Sequence, residues 1–134
     1  MYKKIIFTCL LMLPVLALGH TLNETPKPDN HLQHGLSAYV NATCLANQKE
    51  AYLVEQGYAW ANAIVMSEMA YDFERVVLPL NAAVKKAMVN KPMLMVLDES
   101  APTKSKSLPL AYCYEISLQA DIQALISELL DHES

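Results

Sequence analysis

Residues 32–46 read LQHGLSAYVNATCLA. Leu32, Leu36, Tyr39, Val40, Thr43 and Cys44 recur at intervals of three and four, which puts one apolar stripe on one face of a helix. Asn30 can cap it, because its short side-chain oxygen accepts from the first free backbone N–H groups. The helix is expected to fray around Asn47 to Lys49.

The helical signal continues toward the C-terminus. Glu50 to Glu74 is rich in Ala, Met and Glu and has no interior proline, which favours helix. Gly57 weakens this helix or divides a short first piece from a longer second one. The stripe around Trp60, Ile64 and Ala70-Tyr71 is apolar enough for burial on more than one side. Pro79 fits the first turn of a third helix, whose buried face is Leu80, Ala83, Val84, Ala87 and Met88, with Lys85 and Lys86 outside. Pro92 ends or kinks that helix. Residues 93–97 (MLMVL) are too few for periodicity to decide between strand and helix, and their Met and Leu content tips them to helix. Asp98 to Ser107 (DESAPTKSKS) reads as a polar loop. Leu108-Pro109 opens a last helical stretch through Leu110, Cys113 and Ile116, with a break at Ser117. Beyond it, Leu118, Ile122, Leu125, Ile126 and Leu129 form an amphipathic stripe.

Toward the N-terminus the pattern changes. Pro26, Pro28 and mostly polar neighbours make residues 20–30 a flexible leader. Ahead of it, Lys3 and Lys4 precede the uncharged apolar run Ile5 to Leu18, and Ala17-Leu18-Gly19 places small residues where a signal peptidase needs them. The run is shorter than the roughly 20 residues a spanning helix requires. Residues 1–19 therefore read as a cleavable export signal and residues 31–134 as one domain. Cys9 lies mid-run, too early to carry a lipid.

Cleavage would remove two lysines and shift the net charge from −4 to −6. A mildly acidic chain argues against nucleic acid and against an anionic membrane surface. It would also leave Cys44 and Cys113 as the two cysteines of an exported chain, most simply one disulfide. The alternatives are two buried thiols or one reactive cysteine. No stretch alternates long enough to demand a sheet. The expected fold is all-α: a small bundle of about four to five helices, with the disulfide joining the first helix to the last.

Catalytic constellations are thin. His31 and His34 share a helix face, but two ligands do not make a zinc site, and exposed histidines near a helix start are the plainer reading. Cys44 with either histidine would be a nucleophile and base only if its thiol were free. Asp72 with Glu74, and Asp98 with Glu99, are carboxylate pairs without a flanking aromatic cluster. Trp60 with Tyr58 and Tyr71 could line a ligand box, although such residues at helical spacing are more often core. Asn23-Glu24-Thr25 and Asn41-Ala42-Thr43 match the glycosylation sequon, which matters only in a eukaryote. Nothing calls for a metal or cofactor, and a non-enzymatic binder, inhibitor or assembly factor is expected.

Ala42-Thr43-Cys44-Leu45-Ala46, preceded by Tyr39-Val40, looks like the segment around the first cysteine of the type VI secretion amidase-immunity proteins. Cys113 through Tyr114-Glu115-Ile116 to Asp121-Ile122-Gln123-Ala124-Leu125-Ile126 is similar to their last-helix pattern. Trp60 and Tyr71-Asp72-Phe73-Glu74 resemble a mid-chain aromatic-acidic patch. The resemblance implies a periplasmic, helical, often dimeric protein that binds a peptidoglycan-cleaving amidase toxin and blocks its cleft with a protruding loop. That loop would be Asp98 to Ser107, with Asp98, Glu99, Ser100, Thr103, Lys104, Ser105 and Lys106 facing the partner. The competing expectation is a periplasmic chaperone or secretion pilot protein that grips a partner helix through a methionine patch of Met66, Met69, Met93 and Met95.

Overall fold

A computed structural model describes residues 28–68 and 73–132. The expected signal segment, most of the leader, Asn23, Met69, Tyr71 and Asp72 lie outside the described residues. The described chain is mostly helical, with five α-helices and one hairpin: α1 (Pro28–Ala46), α2 (Ala51–Glu68), α3 (Leu78–Asn90), β1 (Met95–Asp98), β2 (Ala101–Ser107), α4 (Pro109–Ser117) and α5 (Ala120–Asp131).

Helix α1 is the hub, packing against α2, α3, α4 and α5. It opens at Pro28, a residue pre-organised for a first helical turn, so Asn30 lies inside the helix rather than capping it. Leu36, Tyr39, Val40, Thr43 and Cys44, all on the expected stripe, are buried. Ala42, Leu45 and Ala46 are buried as well, so the C-terminal half of α1 is enclosed on nearly every side.

Helix α2 runs unbroken through Gly57. The reason for glycine there is contact with α1. A Cβ at Gly57 would sit 2.2 Å from the backbone N of Ala46 and 2.7 Å from the carbonyl O of Ala42. The close crossing outweighs the roughly 1 kcal/mol that glycine costs inside a helix. It also decides which side of α2 faces inward. Ile64 is buried on that side, whereas Trp60 is 43% exposed and Tyr58 is exposed. Of the expected stripe, Ile64 is buried and Trp60 is not, and Ala70 and Tyr71 lie outside the described residues.

A single π turn, Phe73–Val77, feeds α3. Val77 is already helical there (φ −70°, ψ −46°) and Pro79 occupies the first turn. Leu80, Val84 and Ala87 are buried, as their spacing requires. Lys91 ends the helix in an extended conformation (φ −114°, ψ 121°), the one favoured before proline.

The expected helical turn at 93–97 and loop at 98–107 are replaced by an antiparallel hairpin. Met95 pairs with Ser107, Val96 with Lys106, Leu97 with Ser105, and then Asp98 with Ala101. The jump leaves Pro102, Thr103 and Lys104 bulged out of β2. Proline has no N–H to give a ladder, and a bulge is where a strand tolerates it. The turn is set by Asp98, whose Oδ1 accepts from the Ser100 N–H (3.0 Å) and hydroxyl (2.6 Å). An aspartate bonding two residues ahead is a turn-former in its own right.

The last helical stretch is two helices. Leu118 (φ −89°, ψ −2°) and Gln119 (φ −62°, ψ 141°) break it. Ser117 Oγ donates to Tyr114 O (2.7 Å), and Gln123 Nε2 donates to Ser117 O (2.6 Å). Cys44 and Cys113 are bonded, with Cα atoms 5.5 Å apart. Because of the break, the bond joins α1 to α4 and not the first helix to the last. Helix α5 is held by apolar burial of Ile122, Ile126 and Leu129 instead.

Candidate functional site

The hairpin stands on a fixed base. Leu108 N–H donates to Leu94 O across its root (2.9 Å). The buried Tyr112 places its hydroxyl between two carbonyls, Met88 O (3.1 Å) and Lys91 O (2.9 Å). Burial raises the Tyr112 pKa, with the nearby Lys91 charge opposing, so the phenol stays a donor at neutral pH. Lys91 Nζ pairs with Glu115 at 2.6 Å. Together these contacts tie the end of α3 and both hairpin roots to α4.

Above the base, the strands make their main contacts, among the described residues, with each other. Met95, Val96 and Leu97 are exposed on β1, and Leu97 reaches 67%. Every residue of β2 beyond Ala101 is exposed. An isolated two-stranded hairpin is marginal in water, so this arm depends on its turn and base for order.

The hairpin gathers the residues expected to face a partner. Asp98 Oδ2 pairs with Lys106 Nζ at 2.9 Å. The Ser100 hydroxyl first, and Lys106 second, hold the Asp98 carboxyl below its ordinary value of 3.8. Charges expected at opposite ends of a loop are thus brought together across a ladder. Glu99 and Ser100 form the turn, Thr103 and Lys104 the bulge, and Ser105 the rung next to Lys106. Lys104 and Glu99 carry no ion pair among the described residues and remain available charges.

Sequence reasoning missed the apolar part of this surface. Leu108 and Leu110 are exposed at the start of α4. With Leu53, Ser107, Pro109 and Ala111 they line an open groove of about 320 Å³ at the hairpin root. Their only signal was adjacency to the polar segment, since their spacing to Cys113 imitates core.

Among the other sequence candidates, Tyr71 and Asp72 lie outside the described residues. His31 and His34 are exposed on the first turns of α1, and among the described residues no three His, Cys, Asp or Glu side chains are grouped as metal ligands. Cys44 is consumed by the disulfide. Asn41 Nδ2 donates to Ser37 O (3.0 Å) within α1, and Thr43 is buried. Met66 is exposed, whereas Met93 is partly buried against the core. Among the described residues no helix is long and apolar enough to cross a membrane.

A second feature went unread. Tyr39 and Thr43, read as core stripe, both donate their hydroxyls to Asn81 Oδ1, at 3.0 and 3.2 Å. This network floors a cleft between α1, α2 and α3.

The fold and site define a class: a disulfide-closed helical domain that displays a two-stranded arm. No protein-family model, curated protein or solved structure matches the chain.

Proposed function

We propose that the protein is a periplasmic inhibitor of the immunity kind, binding a cell-wall-degrading effector of the amidase type and blocking its active site with the hairpin. The observation that carries this reading is the arm itself: Met95, Val96 and Leu97 stand exposed on a strand whose main contacts, among the described residues, are with its partner strand. An arm of this shape suits insertion into a cleft. Its exposed apolar strand would supply buried contact area, while Lys104 and Glu99 would steer encounter and partner choice. The bonded Cys44–Cys113 pair fits an oxidising compartment.

One observation favours a second reading, a periplasmic chaperone or secretion pilot that holds a partner helix. Tyr52, Ala59, Ala63 and Met66 share the outward face of α2 and are all exposed, Met66 at 86%. A partner helix would lie along this face rather than on the arm.

The test is a pull-down from periplasmic extract with two baits, read by mass spectrometry. The second bait has residues 95–107 replaced by a two-residue Asn-Gly link. The Leu108 N–H to Leu94 O bond is already the closure such a turn needs. Inhibition by the arm predicts a peptidoglycan amidase with the intact bait and none with the linked one. Recovery of a secretion component by both baits would support the α2 reading instead.

A further inference from the structure

The cleft between α1, α2 and α3 has a volume of about 240 Å³ and is lined on one side by Tyr39, Thr43 and Asn81 and on the other by Tyr58, Ala61 and Val65. Asn62 and Lys85, both exposed, also line it. The hydrogen bonds of its polar side set the orientation of one amide. Tyr39 and Thr43, each only 6% exposed, spend their hydroxyl protons on Asn81 Oδ1. That fixes the amide so that its Nδ2, with two N–H donors, is the end left for a ligand. Asn47 Nδ2 is spent on Thr43 O (2.8 Å). Lys85 adds an ammonium that has no ion pair among the described residues. Among the described residues no aspartate or glutamate lines the cleft, although acidic residues outnumber basic ones in the chain, 14 to 10.

We propose that this cleft binds a small carboxylate with a compact apolar body, of the N-acyl amino acid class. The carboxylate accepts from Asn81 Nδ2 and Lys85 Nζ, and charge-assisted hydrogen bonds of this kind are the stronger ones. The body lies against Ala61, Val65 and the Tyr58 ring. An inorganic oxyanion would satisfy the donors but leave that apolar wall in water. The inference is independent of the hairpin, because none of these residues belongs to the arm.

The experiment is an NMR titration of the oxidised, ¹⁵N-labelled protein with N-acetyl-leucine, N-acetyl-leucinamide and inorganic phosphate. The expected result is a saturable shift of the Asn81 and Asn62 side-chain amide signals with the acid only. Lys85→Gln, at an exposed position, should weaken binding by about tenfold or more, the scale of one lost charged contact. Asn81→Asp keeps an acceptor for both hydroxyls yet turns an anionic oxygen toward the ligand, and should abolish binding. Backbone amide spectra report whether each variant is folded. Equal shifts with acid and amide, a response to phosphate as strong as to the acid, no saturable shift at all, or acid binding unchanged in both folded variants would each overturn the proposal.

Discussion

Cys44 and Cys113, 69 positions apart in the chain, are bonded where the last turn of α1 meets α4, and both are essentially inaccessible to solvent. The bond fixes the helix that carries the hairpin root to the hub of the core. Gln48 Nε2 sits over both sulfurs, at 3.6 and 3.4 Å. Converting both cysteines to alanine is expected to cost about 4 kcal/mol, from the entropy a loop of this length regains in the unfolded chain. Urea denaturation checks it. A loss under about 1 kcal/mol would mean the bond does not constrain the unfolded chain.

Gly57→Ala inverts the usual sign for a helix. At an open helical site the change would stabilise by up to about 1 kcal/mol. Here the new methyl group meets the backbone of Ala46 and Ala42, which cannot rotate away as a side chain could. Overpacking of that kind costs typically about 1–3 kcal/mol. A lower melting temperature is expected, and an unchanged or raised one would contradict the close crossing.

Tyr112→Phe removes the hydroxyl shared by Met88 O and Lys91 O while leaving the buried ring in place. A loss of about 1–2 kcal/mol is expected, in the range for a hydrogen bond whose partners stay behind. Its local signature is more specific. Hydrogen exchange at the Leu108 amide should quicken, because the hairpin root loses its tie to α3. Exchange unchanged there would show that the root is held by other contacts.

The hairpin turn should be indifferent to pH across the neutral range and fail in acid. The Asp98 carboxyl is held below its ordinary 3.8 by Ser100 and Lys106, so folding favours its ionised form. Its contribution is fully present above the unfolded value and is lost as pH falls through the lower folded one. The Ser100 amide resonance should therefore titrate with a midpoint below 3.8. A midpoint above it would reverse the assigned cause.

How much of this was legible in the sequence follows from what a buried face writes into a chain. Leu36, Tyr39, Val40 and Cys44, and likewise Ile122, Ile126 and Leu129, sit against one core and so repeat at helical spacing. The hairpin buries neither face, which leaves strand alternation nothing to record. Its only cues were Asp98 as a turn-former and Pro102 as a bulge. Helix α2 carries apolar residues on more than one side, and periodicity could not say which faced inward; the packing of Gly57 on α1 decides it. The Tyr39–Thr43–Asn81 network joins residues 38 and 42 positions apart, a relation no local window contains.

The proposed role of the arm at residues 95–107 is to block an amidase-type effector. Its most direct test is a titration of the protein into a peptidoglycan amidase recovered by the intact bait, following release of cleaved peptidoglycan. Stoichiometric inhibition by the native protein is expected, and none by the variant with the Asn-Gly link, whose helical circular dichroism is otherwise retained. Equal inhibition by both would contradict it, as would full amidase activity in the presence of the native protein.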